Sequence, residues 1–173
     1  MNKKNIWYIV PILILPYLIV GILSVALFGK DNPFGKINPL GILLLCIMLT
    51  TIFSVIYFIK SIVKKDDPEL LAKRAMIVKL VHVPAYIMIF ILGICFMITI
   101  FTIPFTIGLF LIDSLILFLS SLLTISSVIN GLRTGILKIK DIIWVVILQF
   151  VFCADVVVAV IYYLKIKRVK GAI

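Results

Sequence analysis

Apolar positions in this chain fall in long unbroken blocks, and polar residues gather where the blocks end. A helix that crosses a bilayer needs about 20 mainly apolar residues. By that length the chain divides into spans at about 6–28, 40–59, 81–100, 105–128 and 142–164. Pro11 and Pro16 should kink the first block and release backbone carbonyls that neighbouring helices must satisfy. A connection over 29–39, rich in Gly, Asn and Pro, reads as a turn-forming loop. From Leu80 to Val128 the one charged group besides His82 is Asp113. A single helix over that stretch would be about 70 Å long, twice the hydrocarbon thickness of about 30 Å, so the chain must fold back. Thr99 to Gly108, with Thr102 and Pro104, is the expected turn.

The basic segment 60–79 breaks the apolar pattern. It holds Lys60, Lys64, Lys65, Lys73, Arg74 and Lys79 beside Asp66, Asp67 and Glu69. Asp67-Pro68-Glu69 reads as a helix start: a capping carboxylate, proline at the first helical position and an acid in the first turn. Leu70, Leu71, Ile77 and Val78 interleave with the charges, as in a short amphipathic helix lying on, or leading into, the cytoplasmic membrane surface. These elements predict an all-α fold: a polytopic integral membrane helical bundle, a single transmembrane domain over 1–173. Five transmembrane helices are expected, with four as the alternative, plus one short amphipathic interfacial helix over the basic segment.

Composition agrees with the pattern. The chain is 64% hydrophobic and 14% charged, with a mean hydropathy of +1.33, against roughly 45–50% apolar and 25% charged in soluble domains. Its net charge of +10 belongs to loops and span ends, where anionic headgroups attract Lys and Arg. No basic soluble domain is left to bind nucleic acid. Cys46, Cys95 and Cys153 lie inside apolar blocks without short spacings, so they predict neither disulfides nor a metal site. The first block is too long for the apolar core of a signal peptide and is followed by no small-residue cleavage site, so it reads as a retained span.

Charge also bears on orientation in a plasma membrane. With five spans and a cytoplasmic N-terminus, eleven Lys and Arg lie inside and six outside, the basic tail among the latter. If residues 80–128 crossed once and partly re-entered, four crossings would put the tail inside and the 130–141 link outside, a division of twelve to five. Span length favours five.

Two carboxylates stand out because an acid at bilayer depth is costly and needs a partner, a proton or a role. Asp113 and Asp155 would lie at similar depths on antiparallel spans, with Thr50 and Thr51 near the same level. Asp113, Leu117, Ser120, Thr124, Ser127 and Gly131 follow at spacings of three and four, one helical face whose small and hydroxyl residues suit close packing. Gln149 could extend the polar layer, although on a continuous helix it sits about 120° round from Asp155. The candidate intramembrane proton or cation site is therefore Asp113, Asp155, Thr50, Thr51, Ser120 and Gln149. Either the aspartates are neutral acids that hydrogen-bond helices together, or they share a proton or cation during transport. Lys73, Arg74, Lys79 and His82 are candidates for headgroup or partner contact, and Trp7, Tyr8, Trp144, Tyr162 and Tyr163 for the interfacial aromatic belt.

No zinc-protease, nucleophile-elbow, redox-pair or phosphate-loop motif occurs. Leu-Ile-Asp-Ser and Cys-Ala-Asp-Val also depart from the aspartate contexts of intramembrane proteases. No enzyme activity, cofactor or metal is expected. The segments Lys79-Leu80-Val81-His82-Val83-Pro84-Ala85-Tyr86 and Gln149-Phe150-Val151-Phe152-Cys153-Ala154-Asp155 resemble those of small multi-span membrane proteins of Gram-positive bacteria with no assigned activity. That resemblance covers the C-terminal half and implies no functional residues. In size the chain also resembles substrate-binding components of energy-coupling vitamin transporters, but it lacks their sixth span and the Ala-x-x-x-Ala face of their first. The expectation is a non-enzymatic accessory or interaction subunit, in contact with lipid and with a membrane-protein partner or a second copy. The alternative is a small-solute or proton-coupled carrier built on the aspartate pair.

Overall fold

A computed structural model of the protein describes residues 9–28, 38–98, 102–151 and 154–171. The expectations for Trp7, Tyr8, Cys153 and most of the 29–39 connection lie outside them. The described chain is helical: α1 (Val10–Phe28), α2 (Pro39–Val63), α3 (Pro68–Met97), α4 (Ile103–Arg133), a 3-10 turn (Ile139–Asp141), α5 (Ile143–Leu148) and α6 (Ala154–Lys170). Among the described residues α2, α3 and α4 are long and apolar enough to cross a membrane. α3 and α4 form the most extensive pair.

Proline sets several helix starts. Pro39, Pro68 and Pro104 stand in first turns, where a missing N–H costs nothing. Pro11 joins them in the first turn of α1, so it is a helix start and not a kink. Pro16 and Pro84 remain inside helices. Asp67 is the residue before α3, as its sequence suggested. Its carboxylate makes no capping bond, however, and takes Lys170 of α6 instead, at 2.8 Å.

Segment 60–79 does not form a separate interfacial helix. α2 continues to Val63, the chain turns over 64–67, and α3 runs unbroken from Pro68 through the basic residues into the apolar block. The reason is burial: Leu71, Ala75 and Val78 pack in one cluster with Ile9, Ile12, Tyr57 and Leu123. Lys73 stays exposed. A second cluster at the other end joins Leu15, Ile19, Leu43, Tyr86, Ile89, Leu109, Ile116 and Leu119.

The expected span 142–164 is not one helix. It divides into α5 and α6 with a turn from Gln149, and the contacts of α6 show that the chain has reversed. Asp155 meets Lys79, the Tyr162 hydroxyl lies 3.2 Å from Ser127, and Lys170 pairs with Asp67 and Glu69. α6 therefore descends toward the turn that joins α2 to α3. Leu137, Ile142 and Val145 of the ascending arm pack with Val158, Tyr162 and Ile166 of the descending arm. Tyr162 is thus a buried core residue and not part of an aromatic belt. The basic tail ends beside segment 60–79, where the charge division of the four-crossing alternative had put it.

The α2–α3 turn is held from α4. Asn130 Nδ2 donates to the carbonyls of Ser61 and Asp66, both at 3.0 Å, and Arg133 donates to that of Ile62 at 2.9 Å. Lys65 adopts a φ of 52°, and the bonds from Asp66 N to Ser61 O and from Lys65 N to Ile62 O complete a Schellman motif. Glycine takes that left-handed conformation without the Cβ clash. Lys65→Gly is expected to raise stability by about 0.5–1 kcal/mol, read as a higher midpoint of thermal unfolding in detergent; a lower midpoint would contradict this account of the turn.

Candidate functional site

Where α5 stops, three helices meet around one ammonium group. Lys79 is fully buried, about 16 Å along α3 from Pro68. Its Nζ lies 3.2 Å from Asp155 Oδ2, donates to Ser121 Oγ at 3.3 Å and donates to Gln149 Oε1. An uncompensated charge in such surroundings is very costly, so a buried lysine is tolerated only with a counter-ion and further acceptors. All three partners have 0% exposure.

The break in the helix makes this convergence possible. On a continuous helix Gln149 and Asp155 would point about 120° apart, whereas the turn between them brings both to Lys79. The Gln149 carbonyl at the end of α5 is satisfied by Ser121 Oγ at 3.2 Å, which answers the demand for internal partners wherever a helix is interrupted inside lipid. Asp155 occupies the first turn of α6, where the positive end of the helix dipole favours a carboxylate.

Asp113 lies eight residues before Ser121 on α4, within electrostatic reach of Asp155 and of Tyr86. The aspartates are therefore neighbours, but the direct partner of Asp155 is Lys79. Ser120, also buried, faces Tyr86. Thr50 and Thr51 do not join them: each hydroxyl bonds a carbonyl of its own helix, Cys46 or Ile47, at 2.8 Å. The whole series Asp113, Leu117, Ser120, Thr124, Ser127 and Gly131 is buried, as one helical face. Comparison with protein-family models, curated proteins and solved structures gives no match.

The residues assigned to headgroup contact separate. Lys73 is exposed, and Arg74 is half-buried with a hydrogen bond of 3.0 Å to the Tyr57 hydroxyl. Lys79 and His82 are interior residues, because continuous α3 carries them inward from Pro68. His82 Nε2 donates to the Ile12 carbonyl at 3.0 Å. That carbonyl is the one Pro16 leaves free four residues later, so histidine supplies the donor that proline lacks. Tyr17 of α1 in turn donates to the Val81 carbonyl, one residue from the carbonyl that Pro84 leaves free. Each proline-containing helix thus receives a donor from the other.

Sequence reasoning missed Lys79 because its position among charged residues suggested a surface. The available signal was that Lys79, His82 and Tyr86 recur every three or four residues on one face of α3.

Lys79→Met is expected to cost about 3–5 kcal/mol by leaving Asp155 buried without its counter-ion. Lys79→Met with Asp155→Asn should regain most of this, and equilibrium unfolding in mixed micelles reads both. His82→Leu should cost about 1–3 kcal/mol for the orphaned carbonyl. In a Pro16→Ala background the same change should cost less, since alanine restores the missing backbone N–H; equal costs in both backgrounds would refute the assignment.

Proposed function

We propose that the chain is a multi-pass protein of a bacterial plasma membrane that works as a non-enzymatic accessory or interaction subunit. In this reading α1 to α4 cross the bilayer, while α5 and α6 form a hairpin that enters to about half its depth and returns. One observation carries the orientation. Every described Lys and Arg except Lys79 lies at, or within about two helical turns of, the end that holds the 64–67 turn. The positive-inside rule makes that end cytoplasmic, together with Ile9 and the end of α6.

The central cluster then serves as a clasp for the hairpin, a role that suits its complete burial. The cytoplasmic face, with Lys64, Lys73, Lys138, Lys140, Lys167 and Arg168 exposed, is the surface for anionic headgroups and for a partner membrane protein or a second copy. A carrier is the second reading. It is favoured by the helix interruption at the ion pair, since discontinuous helices in transporters put helix ends and freed carbonyls at their ion sites.

A green fluorescent protein fused after the last residue should fluoresce, because it folds on the cytoplasmic side; a dark, stably inserted fusion would contradict the orientation. For function, Lys73→Glu with Lys167→Glu should abolish complementation of a strain lacking the gene, while Asp113→Asn leaves it intact. The reverse pattern would overturn the accessory reading in favour of the carrier.

A further inference from the structure

The polar centre holds two carboxylates and one ammonium. Lys79 is committed to Asp155 at 3.2 Å. Among the described residues Asp113 makes no ion pair, and its buried Oδ1 meets no hydrogen-bond donor. Asp155 Oδ1 and Gln149 Nε2 are likewise buried without a partner. The groups around Asp113 do not supply the missing charge. Tyr86 of α3 and Asp155 of α6 are not cations, and His82 of α3 directs its Nε2–H to Ile12 of α1. One unit of negative charge is therefore left over in an apolar interior, where it cannot persist unneutralised.

A groove of about 410 Å³ is lined by Phe110, Ser114, Leu117 and Phe118 of α4 and by Phe150 at the hairpin turn. Phe110 and Leu117 stand three residues before and four after Asp113, on its own side of the helix. The Phe118 and Phe150 rings, with centroids 6.2 Å apart, form one wall. Asp113 is 5% exposed, whereas Asp155 has no exposed surface.

We propose that Asp113 binds an exchangeable monovalent cation, a proton or an alkali-metal ion, reached from the lipid-facing groove between α4 and the hairpin turn. The site deepens the carrier reading and rests on it only for what the bound ion would drive. Binding is measured without transport, so the two can fail separately.

The probe is dicyclohexylcarbodiimide, an apolar reagent that partitions into micelles and bilayers. A protonated carboxyl adds across one C=N bond to give an O-acylisourea, which rearranges to a stable N-acylurea with no leaving group. The full-length protein is labelled in detergent and in neutral liposomes, in sodium-free choline buffer and in sodium and potassium chloride, over about pH 5 to 9. Peptide mass spectrometry locates the adduct. The adduct is expected at Asp113 and not at Asp155, with a rate that falls about tenfold per pH unit once the acid is ionised. Slowing by sodium or potassium at constant pH identifies an alkali ion as occupant; indifference to both salts identifies the proton. Asp113→Asn should abolish the adduct and Asp113→Glu should retain it, each checked for folding by size-exclusion chromatography. No adduct at Asp113 in choline buffer, equal labelling of both aspartates, or a rate independent of pH and of salt would overturn the proposal. Persistent labelling with no cation-coupled flux in liposomes would sink the carrier reading and leave the site standing.

Discussion

The architecture depends on one buried charge. Lys79 is fully buried about 16 Å along α3 from Pro68, where it is stable only if acceptors surround it. Asp155, Gln149 and Ser121 supply them from α6, from the end of α5 and from α4. To deliver both Asp155 and Gln149 the last apolar block has to break and turn back. The same demand for partners thus accounts for the hairpin, for the return of the basic tail, and for the burial of Tyr162 against Ser127. A carboxylate read alone suggests a second carboxylate as its mate; with the lysine in place, the aspartates become a paired and an unpaired member of one centre.

The rest of the interior follows a related rule, that backbone groups freed inside the bundle are met by donors from neighbouring helices. Pro16 frees the Ile12 carbonyl, and His82 takes it. The end of α5 frees the Gln149 carbonyl, and Ser121 takes it. The carbonyls of Ser61, Ile62 and Asp66 at the α2–α3 turn are taken by Asn130 and Arg133. The donors in the last two cases stand on α4, whose hydroxyl and small residues let neighbouring chain approach closely. At Gly131 that approach is so tight that an added Cβ would lie 2.5 Å from Leu137.

The unpaired member of the centre gives the molecule an asymmetry. Asp155 is enclosed by its partners, while Asp113 keeps a slight exposure. Asp155 is tied into the fold through Lys79, and Asp113 makes no ion pair among the described residues.

Much of this was legible along the chain. Block length and composition specify helices, Asp67-Pro68-Glu69 marks where α3 begins, and the three-and-four spacing from Asp113 to Gly131 marks the buried face of α4. These are local properties, set by the hydrogen-bonding demands of backbone in an apolar medium and by the period of the helix. The break at Gln149 was not legible, because no glycine or proline stands there. Nor was the burial of Lys79 and His82, which follow the charged stretch that ends in Lys73 and Arg74. The basic tail was the one hint, favouring the end of the bundle where it is found. Helix identity is settled residue by residue, whereas the partner of a buried charge is settled by whichever chain can reach it. Only the packing of α3, α4 and the hairpin decided that Lys79, and not Asp113, answers Asp155.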